Sequence, residues 1–288
     1  MHGKADRGRG TVRVPVRARG GEGVAVRDDA VAVEEPMEIR VESGPDDQRH
    51  TRSVSVTMRT PGHDFELALG FLYGEGLIAA ADAVRNVAFC GPPAPGKPHS
   101  NIVRVELEGD TPLDLVKLQR NFYSTSSCGI CGKASLEALD FEGYPMLDRD
   151  APRVAEEVIH RLPDRLREAQ AVFDLTGGLH AAGLFDATGA LLACREDVGR
   201  HNAVDKLIGA QLLAGDLPLP TRIMVVSGRV SFEIMQKALA AGVPVIVAVG
   251  APSSLAIEMA ERFGMTLVGF ARDRRFNVYA APERIDEG

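Results

Sequence analysis

The stretch RIMVVSGRVSFEIMQKALAAGVPVIVAVGAPSSLAIEMAERFGMTLVGF, residues 222–270, decides the fold class. Residues 222–226 form a short apolar run that stops at Ser-Gly, as a buried strand does. Residues 232–241 then carry apolar side chains at helical spacing. Strand 244–249, helix 254–263 and strand 265–270 repeat the alternation. A β-α-β-α-β order predicts a parallel sheet with right-handed crossovers, hence an α/β domain. A further strand at 276–279 is expected to lie antiparallel at an edge.

Ligands of open parallel sheets bind outside the carboxyl ends of the strands, which directs attention to three segments. These are Ser227-Gly228-Arg229, Gly250-Ala251-Pro252-Ser253-Ser254 and Phe270-Ala271-Arg272-Asp273-Arg274-Arg275. The first two open helices, whose free N–H groups suit phosphate oxygens. Pro252 and the serines equally satisfy plain helix-start chemistry. The third offers three arginines between Phe270 and Phe276, a set suited to a diphosphate with an aromatic ring stacked on a base. Thr176-Gly177-Gly178-Leu179-His180 reads as a fourth loop, following a strand at 172–175.

Outward from this core, 202–213 reads as a helix and 184–194 as a hairpin turning at Thr188-Gly189. Residues 154–170 read as another helix. Toward the N-terminus apolar residues alternate: Val12, Val14 and Val16, then Ile39 and Val41, then Val54, Val56 and Met58. That period of two signals half-buried antiparallel strands. A helix starts at Asp64, Gly91 to Gly96 form a Pro-rich loop, and Ile102 to Leu107 give one more strand. The expected organisation is a disordered tail over 1–10, a smaller β-rich portion over 11–120 and an α/β domain over 121–288.

The chain has 288 residues, 45% hydrophobic and 25% charged, as in ordinary soluble proteins. Lys and Arg total 33 against 40 Asp and Glu, a net charge of -7, which argues against nonspecific nucleic-acid binding. No apolar run is long enough to cross a bilayer as a helix, and the basic, Gly-rich start leads into no apolar stretch. Four cysteines do not make a disulfide scaffold, so reduced thiols and a cytoplasmic setting are expected.

Two of those cysteines lie in Ser126-Ser127-Cys128-Gly129-Ile130-Cys131-Gly132-Lys133, just ahead of a helix-forming run at 134–139. Thiolates near a helix N-terminus and a lysine are stabilised and nucleophilic. Redox exchange, half of a zinc site and a persulfide relay all fit such a pair. A zinc site lacks a second Cys-x-x-Cys, because Cys90 and Cys194 sit singly in apolar surroundings and read as core residues. The run Arg195-Glu196-Asp197-Val198-Gly199-Arg200-His201-Asn202-Ala203-Val204-Asp205-Lys206 crowds charge at a strand end and helix start. An anion pocket that includes His201, and a solvated helix start capped by Asp197 or Asn202, account for it about equally well.

Together the segments at 126–133, 176–180, 195–206, 227–232, 250–254 and 269–279, with Pro61-Gly62-His63-Asp64 and the helix to Phe71, resemble the FdhD family, accessory sulfurtransferases of formate dehydrogenase. The resemblance implies a protein that accepts sulfur from a cysteine desulfurase as a persulfide. It would pass that sulfur to the molybdenum of bis(molybdopterin guanine dinucleotide), destined for formate dehydrogenase. It implies a main domain similar to the cytidine deaminase fold without its zinc. Cys128 would carry the persulfide with Cys131 assisting, and Phe270 to Arg275 would hold the guanine dinucleotide end. A homodimer is compatible with this reading. Two rivals are a cofactor-binding chaperone that moves no sulfur and a nucleobase deaminase. The second needs His-x-Glu, which is missing, and Pro before the first cysteine, where Ser127 stands.

Overall fold

The computed structural model describes residues 5–6, 10–20, 23–93, 96–109, 144 and 146–286. Strands β1 (Ala5–Asp6), β2 (Thr11–Gly20) and β3 (Gly23–Ala32) form an antiparallel sheet in that order. Ala5–Asp6, inside the segment expected to be a tail, thus pair with β2. A second sheet holds β4 (Glu35–Ser43), β5 (His50–Arg59), β6 (Val84–Phe89) and β7 (Ile102–Leu107) in the order β5-β4-β7-β6. Helix α1 (Asp64–Gly74) lies on it.

Strand alternation explains the packing of this second sheet. Met37, Ile39 and Val41 of β4 and Val103, Val105 and Leu107 of β7 are all buried against Leu67, Leu69 and Leu72 of α1. β5 departs from its expected pattern. Val54 is buried, but Val56 and Met58 are 65% and 47% exposed. A register shift between Ile39 and Arg40 places Ser55 and Arg59 on the inner side instead.

The main sheet follows. After the short β8 (Val154–Ala155) come helices α2 (Glu156–Glu168) and α3 (Ala171–Thr176), then the hairpin β9 (His180–Phe185) and β10 (Leu191–Asp197). Helix α4 (Arg200–Ala214) leads to β11 (Ile223–Val226), α5 (Phe232–Ala240), β12 (Val245–Ala248), α6 (Ser254–Phe263), β13 (Thr266–Arg272) and β14 (Arg275–Ala280). A final β15 (Ile285–Asp286) pairs with β8. The strand order is β10-β9-β11-β12-β13-β14, with β11, β12 and β13 parallel and β14 antiparallel at the edge, as expected. Both faces are covered. Met224, Val226, Ile246 and Ala248 pack on α4, α5 and α6, while Ile223, Val225, Val245 and Val247 pack on α2. None of the described helices is long and apolar enough to cross a membrane.

One expected strand is a helix. Residues 172–175 lie in α3, because both Glu196 carboxylate oxygens accept the first-turn N–H groups, Val172 at 2.9 Å and Phe173 at 2.8 Å. Gly177 then closes the helix at φ 65°.

Helices α1 and α4 join the two halves of the molecule. They cross at Gly70 and Gly209, so closely that a Cβ on Gly209 would stand 1.9 Å from the Glu66 carbonyl oxygen. The expected boundary near residue 120 lies outside the described residues.

Candidate functional site

The carboxyl ends of β11, β12 and β13 reach one edge of the main sheet. Because β9 runs antiparallel to β11, its first residue, His180, comes to the same edge. On the α2–α3 side an open cavity of ≈ 540 Å³ sits there, bounded by Leu166, Gln170, Phe173, His180, Ser227 and Arg272 among others. Leu179 and Val249 add apolar wall, and Asp273 stands at the rim. The Arg167 guanidinium covers one face of the Phe173 ring at 4.6 Å and pairs with Asp174 at 2.5 Å. Ser227 Oγ accepts the Ala181 N–H at 2.9 Å, which leaves its own O–H to donate. Burial, and then the neighbouring Arg200 charge, hold His180 below its ordinary pKa, so the ring is neutral at pH 7.

The expected binding residues divide. Ser227, Arg272 and Asp273 border the cavity. Gly228 packs against His180, where a Cβ would meet Nδ1 at 3.3 Å. The other groups have local employment. Gly250 N–H donates to Gly228 O at 3.1 Å, Val230 N–H to Ala251 O at 3.1 Å and Ser253 N–H to Val230 O at 3.0 Å, so the two helix-opening loops spend donors on each other. Ser253 Oγ caps α6 by accepting from Ala256 N at 3.2 Å, and Ser254 is that helix's exposed first residue. Arg229 is exposed and outside the cavity lining.

The arginine-rich segment is a tight hairpin rather than a loop. Arg272 pairs with Arg275, and Asp273 and Arg274 turn between them at φ 52° and 54°. Arg274 faces away to Glu157 at 2.8 Å. Ala271 is core, and Phe276 lies against His160 with ring centroids 4.9 Å apart, so it is not free to stack. Phe270 sits at a register shift with φ 54°, held by its N–H on Gly250 O at 3.1 Å. That strained backbone is a feature typical of functional edges.

The charged run 195–206 is mostly a joint. Arg195 makes a two-pronged pair with Glu66 of α1 at 2.5 and 2.8 Å. Lys206, only 1% exposed, binds Asp197 at 2.7 Å and the Thr60 carbonyl at 2.8 Å. Asp197 also accepts from Thr60 N, Gly199 N and Asn202 Nδ2 at 2.8–3.1 Å. Neither Arg195 nor Lys206 is therefore available to an anion. His201 meets Ser231 Oγ at 3.1 Å and is pushed down to about 4 by burial, then by Arg200. It does not line the cavity.

Cys128 and Cys131 lie outside the described residues. Cys90 and Cys194 are half-buried rather than core. Cys194 is on the edge strand β10, packed against the α2 cluster, and burial pushes its thiol up to about 11. A second cavity of ≈ 550 Å³ opens beside α1, near Phe65, Phe89 and His99. Its inner charges are paired, Arg59 with Asp64 at 2.9 Å and Lys97 with Glu35 at 2.7 Å. Sequence reasoning missed Gln170, Arg167 and Phe173. No signal marked them, since Arg167 and Gln170 read as ordinary helix-end residues and Phe173 as part of a strand.

Fold and edge together define a mixed α/β protein with an open cavity at the ends of its parallel strands, lined by charges of both signs. The chain belongs to the FdhD/NarQ family, whose model matches residues 32–286. It is 50% identical over 275 residues to the sulfur carrier protein FdhD of Streptomyces avermitilis, covering 95% of this chain and 94% of that one. It is 48% identical over 283 residues to the protein of the same name from Mycobacterium tuberculosis, covering 96% and 99%. A crystal structure described as a formate dehydrogenase accessory protein of Desulfotalea psychrophila superposes with a TM-score of 0.71 at 27% identity, covering 96% of this chain and 99% of that one.

Proposed function

We propose that this chain is a sulfur carrier serving formate dehydrogenase, working in the cytoplasm on a nucleotide-bearing molybdenum cofactor. The reading is supported above all by about half-identity to proteins named sulfur carriers across nearly the whole chain. In it, the Cys128 thiolate attacks the outer sulfur of a cysteine desulfurase persulfide. The donor S–S bond breaks, the donor cysteine leaves as thiolate, and Cys128 holds the persulfide with Cys131 nearby in sequence. Delivery to the molybdenum of bis(molybdopterin guanine dinucleotide), the substrate, would break the Cys128 S–S bond and return Cys128 as thiolate, with the two electrons that convert the outer sulfur to sulfide coming from the substrate's metal. The main sheet serves as a cytidine-deaminase-like frame for that substrate, whose guanine dinucleotide end meets the edge near Ser227 and Arg272. A cavity of ≈ 540 Å³ is within the usual range for such ligands.

The test is incubation with a cysteine desulfurase and cysteine, followed by peptide mass spectrometry. One added sulfur on the peptide holding Cys128, abolished by Cys128→Ala, is the expected result. Sulfur on neither Cys128 nor Cys131 overturns the carrier reading. Calorimetry should show GDP binding more tightly than ADP, and absence of both would remove the nucleotide part.

A further inference from the structure

Among the described residues, the β2–β3 ribbon is left largely uncovered. Its pairing runs unbroken from Thr11 with Ala32 to Gly20 with Gly23. The short β1 reaches only Thr11 and Val12. From Val12 to Val31 no described side chain is buried, and none enters the three apolar clusters of the molecule. A two-stranded ribbon is marginal in water unless a further element covers one of its faces. Helix α3 packs on β3, whose Asp29, Ala30 and Ala32 are half-buried, while residues 23–28 are exposed throughout. The free half therefore projects by about 20 Å.

Register sets Arg17 opposite Val26 and Arg19 opposite Val24, and the period of two adds Arg13 to that face. Val24 and Val26 are 62% and 73% exposed. The three arginines are exposed as well, with no ion pair or hydrogen bond among the described residues. Unpaired cations beside bare valines suit a protein surface on which carboxylates flank apolar side chains. A nucleic acid fits less well. Valine has nothing to offer a phosphate, and residues 32–288 carry a net charge of -10 against +3 on residues 1–31. The base of the ribbon also meets the cavity, because a Cβ on Gly178, in the cavity wall, would lie 3.8 Å from Ala32 Cβ. A protein held by the ribbon is thus brought to the rim of the cavity. We propose that the ribbon is a docking arm for the acceptor enzyme, formate dehydrogenase, which it grips by an acidic strip studded with apolar side chains. The assignment rests on the carrier function proposed above.

The test uses the full-length protein and formate dehydrogenase purified without its cofactor, with binding followed by surface plasmon resonance. The wild type should bind, and more weakly as salt rises. Arg17→Glu with Arg19→Glu should weaken binding by about tenfold or more, and Val24→Ser with Val26→Ser should do the same. All four side chains are exposed, so melting temperatures should stay near that of the wild type. Sulfur loading by the desulfurase should be unchanged, since the arm serves the later step. Equal acceptor binding by wild type and variants overturns the assignment and leaves the carrier function standing. Weaker binding only in variants that melt lower also overturns it, because the ribbon would then be structural. Loss of sulfur loading with acceptor binding kept overturns it in favour of the desulfurase as occupant. A changed oligomeric state in gel filtration does so in favour of a second copy of the chain. A wild type that takes up sulfur but binds no formate dehydrogenase overturns the docking arm alone, and one that does neither removes the carrier function as well.

Discussion

Gly209→Ala probes the contact that holds the two halves of the molecule together. A Cβ there would lie 1.9 Å from Glu66 O and 2.6 Å from Glu66 C, both backbone atoms of α1. Reaching ordinary contact means moving one helix by roughly 1.5 Å, because neither partner is a flexible side chain. Alanine favours a helix interior by about 1 kcal/mol over glycine. Overpacking a core costs about 1–3 kcal/mol where side chains can yield, and more where only backbone can move. Retreat of Glu66 would also loosen its pair with Arg195. The net loss should be about 2–3 kcal/mol, or roughly 5–10 °C in melting temperature for a chain of this size. Thermal unfolding followed by circular dichroism measures it, with Leu213→Ala as control because Leu213 is 54% exposed on the same helix. The control should stay within about 0.5 kcal/mol of wild type. A Gly209→Ala protein that melts at or above the wild-type temperature would refute the close crossing.

Lys206→Met strands Asp197, which is 0% exposed, without its cation, and should cost about 3–5 kcal/mol in urea unfolding. A loss below about 1 kcal/mol would show the pair to be solvated. Glu66 is held down to about 2 although burial opposes it, because the Arg195 bonds and then His63 outweigh burial. Its stabilisation is present above its ordinary value of 4.5 and lost as pH falls from there to about 2, roughly 3 kcal/mol unscreened and about half that after solvent screening. Glu66→Gln should flatten that part of the stability–pH curve. Cys194, pushed up to about 11, should alkylate at neutral pH more slowly than Cys128, as peptide mapping over time would read; the reverse order contradicts its burial.

The parallel strands were legible because their burial is complete. The four residues of β11 and of β12 are all buried, so each is a continuous apolar run stopped by a small residue. Shorter signals failed where a distant group decides. Residues 172–175 are equally apolar as strand or helix, and the choice falls to Glu196, which lies far along the chain. In β5 the alternation breaks at a bulge, where Val54 is an extra residue opposite Ile39 and Arg40, and this changes which residues face inward. The sheet edge that holds the cavity followed from topology, with Ser227, Arg272 and Asp273 in its lining, while the residues that α2 and α3 add did not. Gln170 comes from the junction of two helices and Phe173 from the first turn of α3, places that periodicity does not mark. The approach of glycine to backbone at the α1–α4 crossing is likewise invisible without coordinates.

The charged run at 195–206 carries much of the likeness to the family, and its chemistry shows why likeness and ligand contact are separate matters. Arg195 and Lys206 each sit where a neighbouring carboxylate or carbonyl absorbs the charge. Those bonds run to Glu66 and Thr60, so they tie α1 and the end of β5 to the edge of the main sheet. A change in either cation should first alter how the halves join, and only through that the cavity. Arg200 is different. Its Nε is buried with no partner among the described residues, and its charge lowers both His180 and His201. Arg200 lies next to Gly228, where the joint meets the sheet edge. The more familiar-looking charges hold that edge in place.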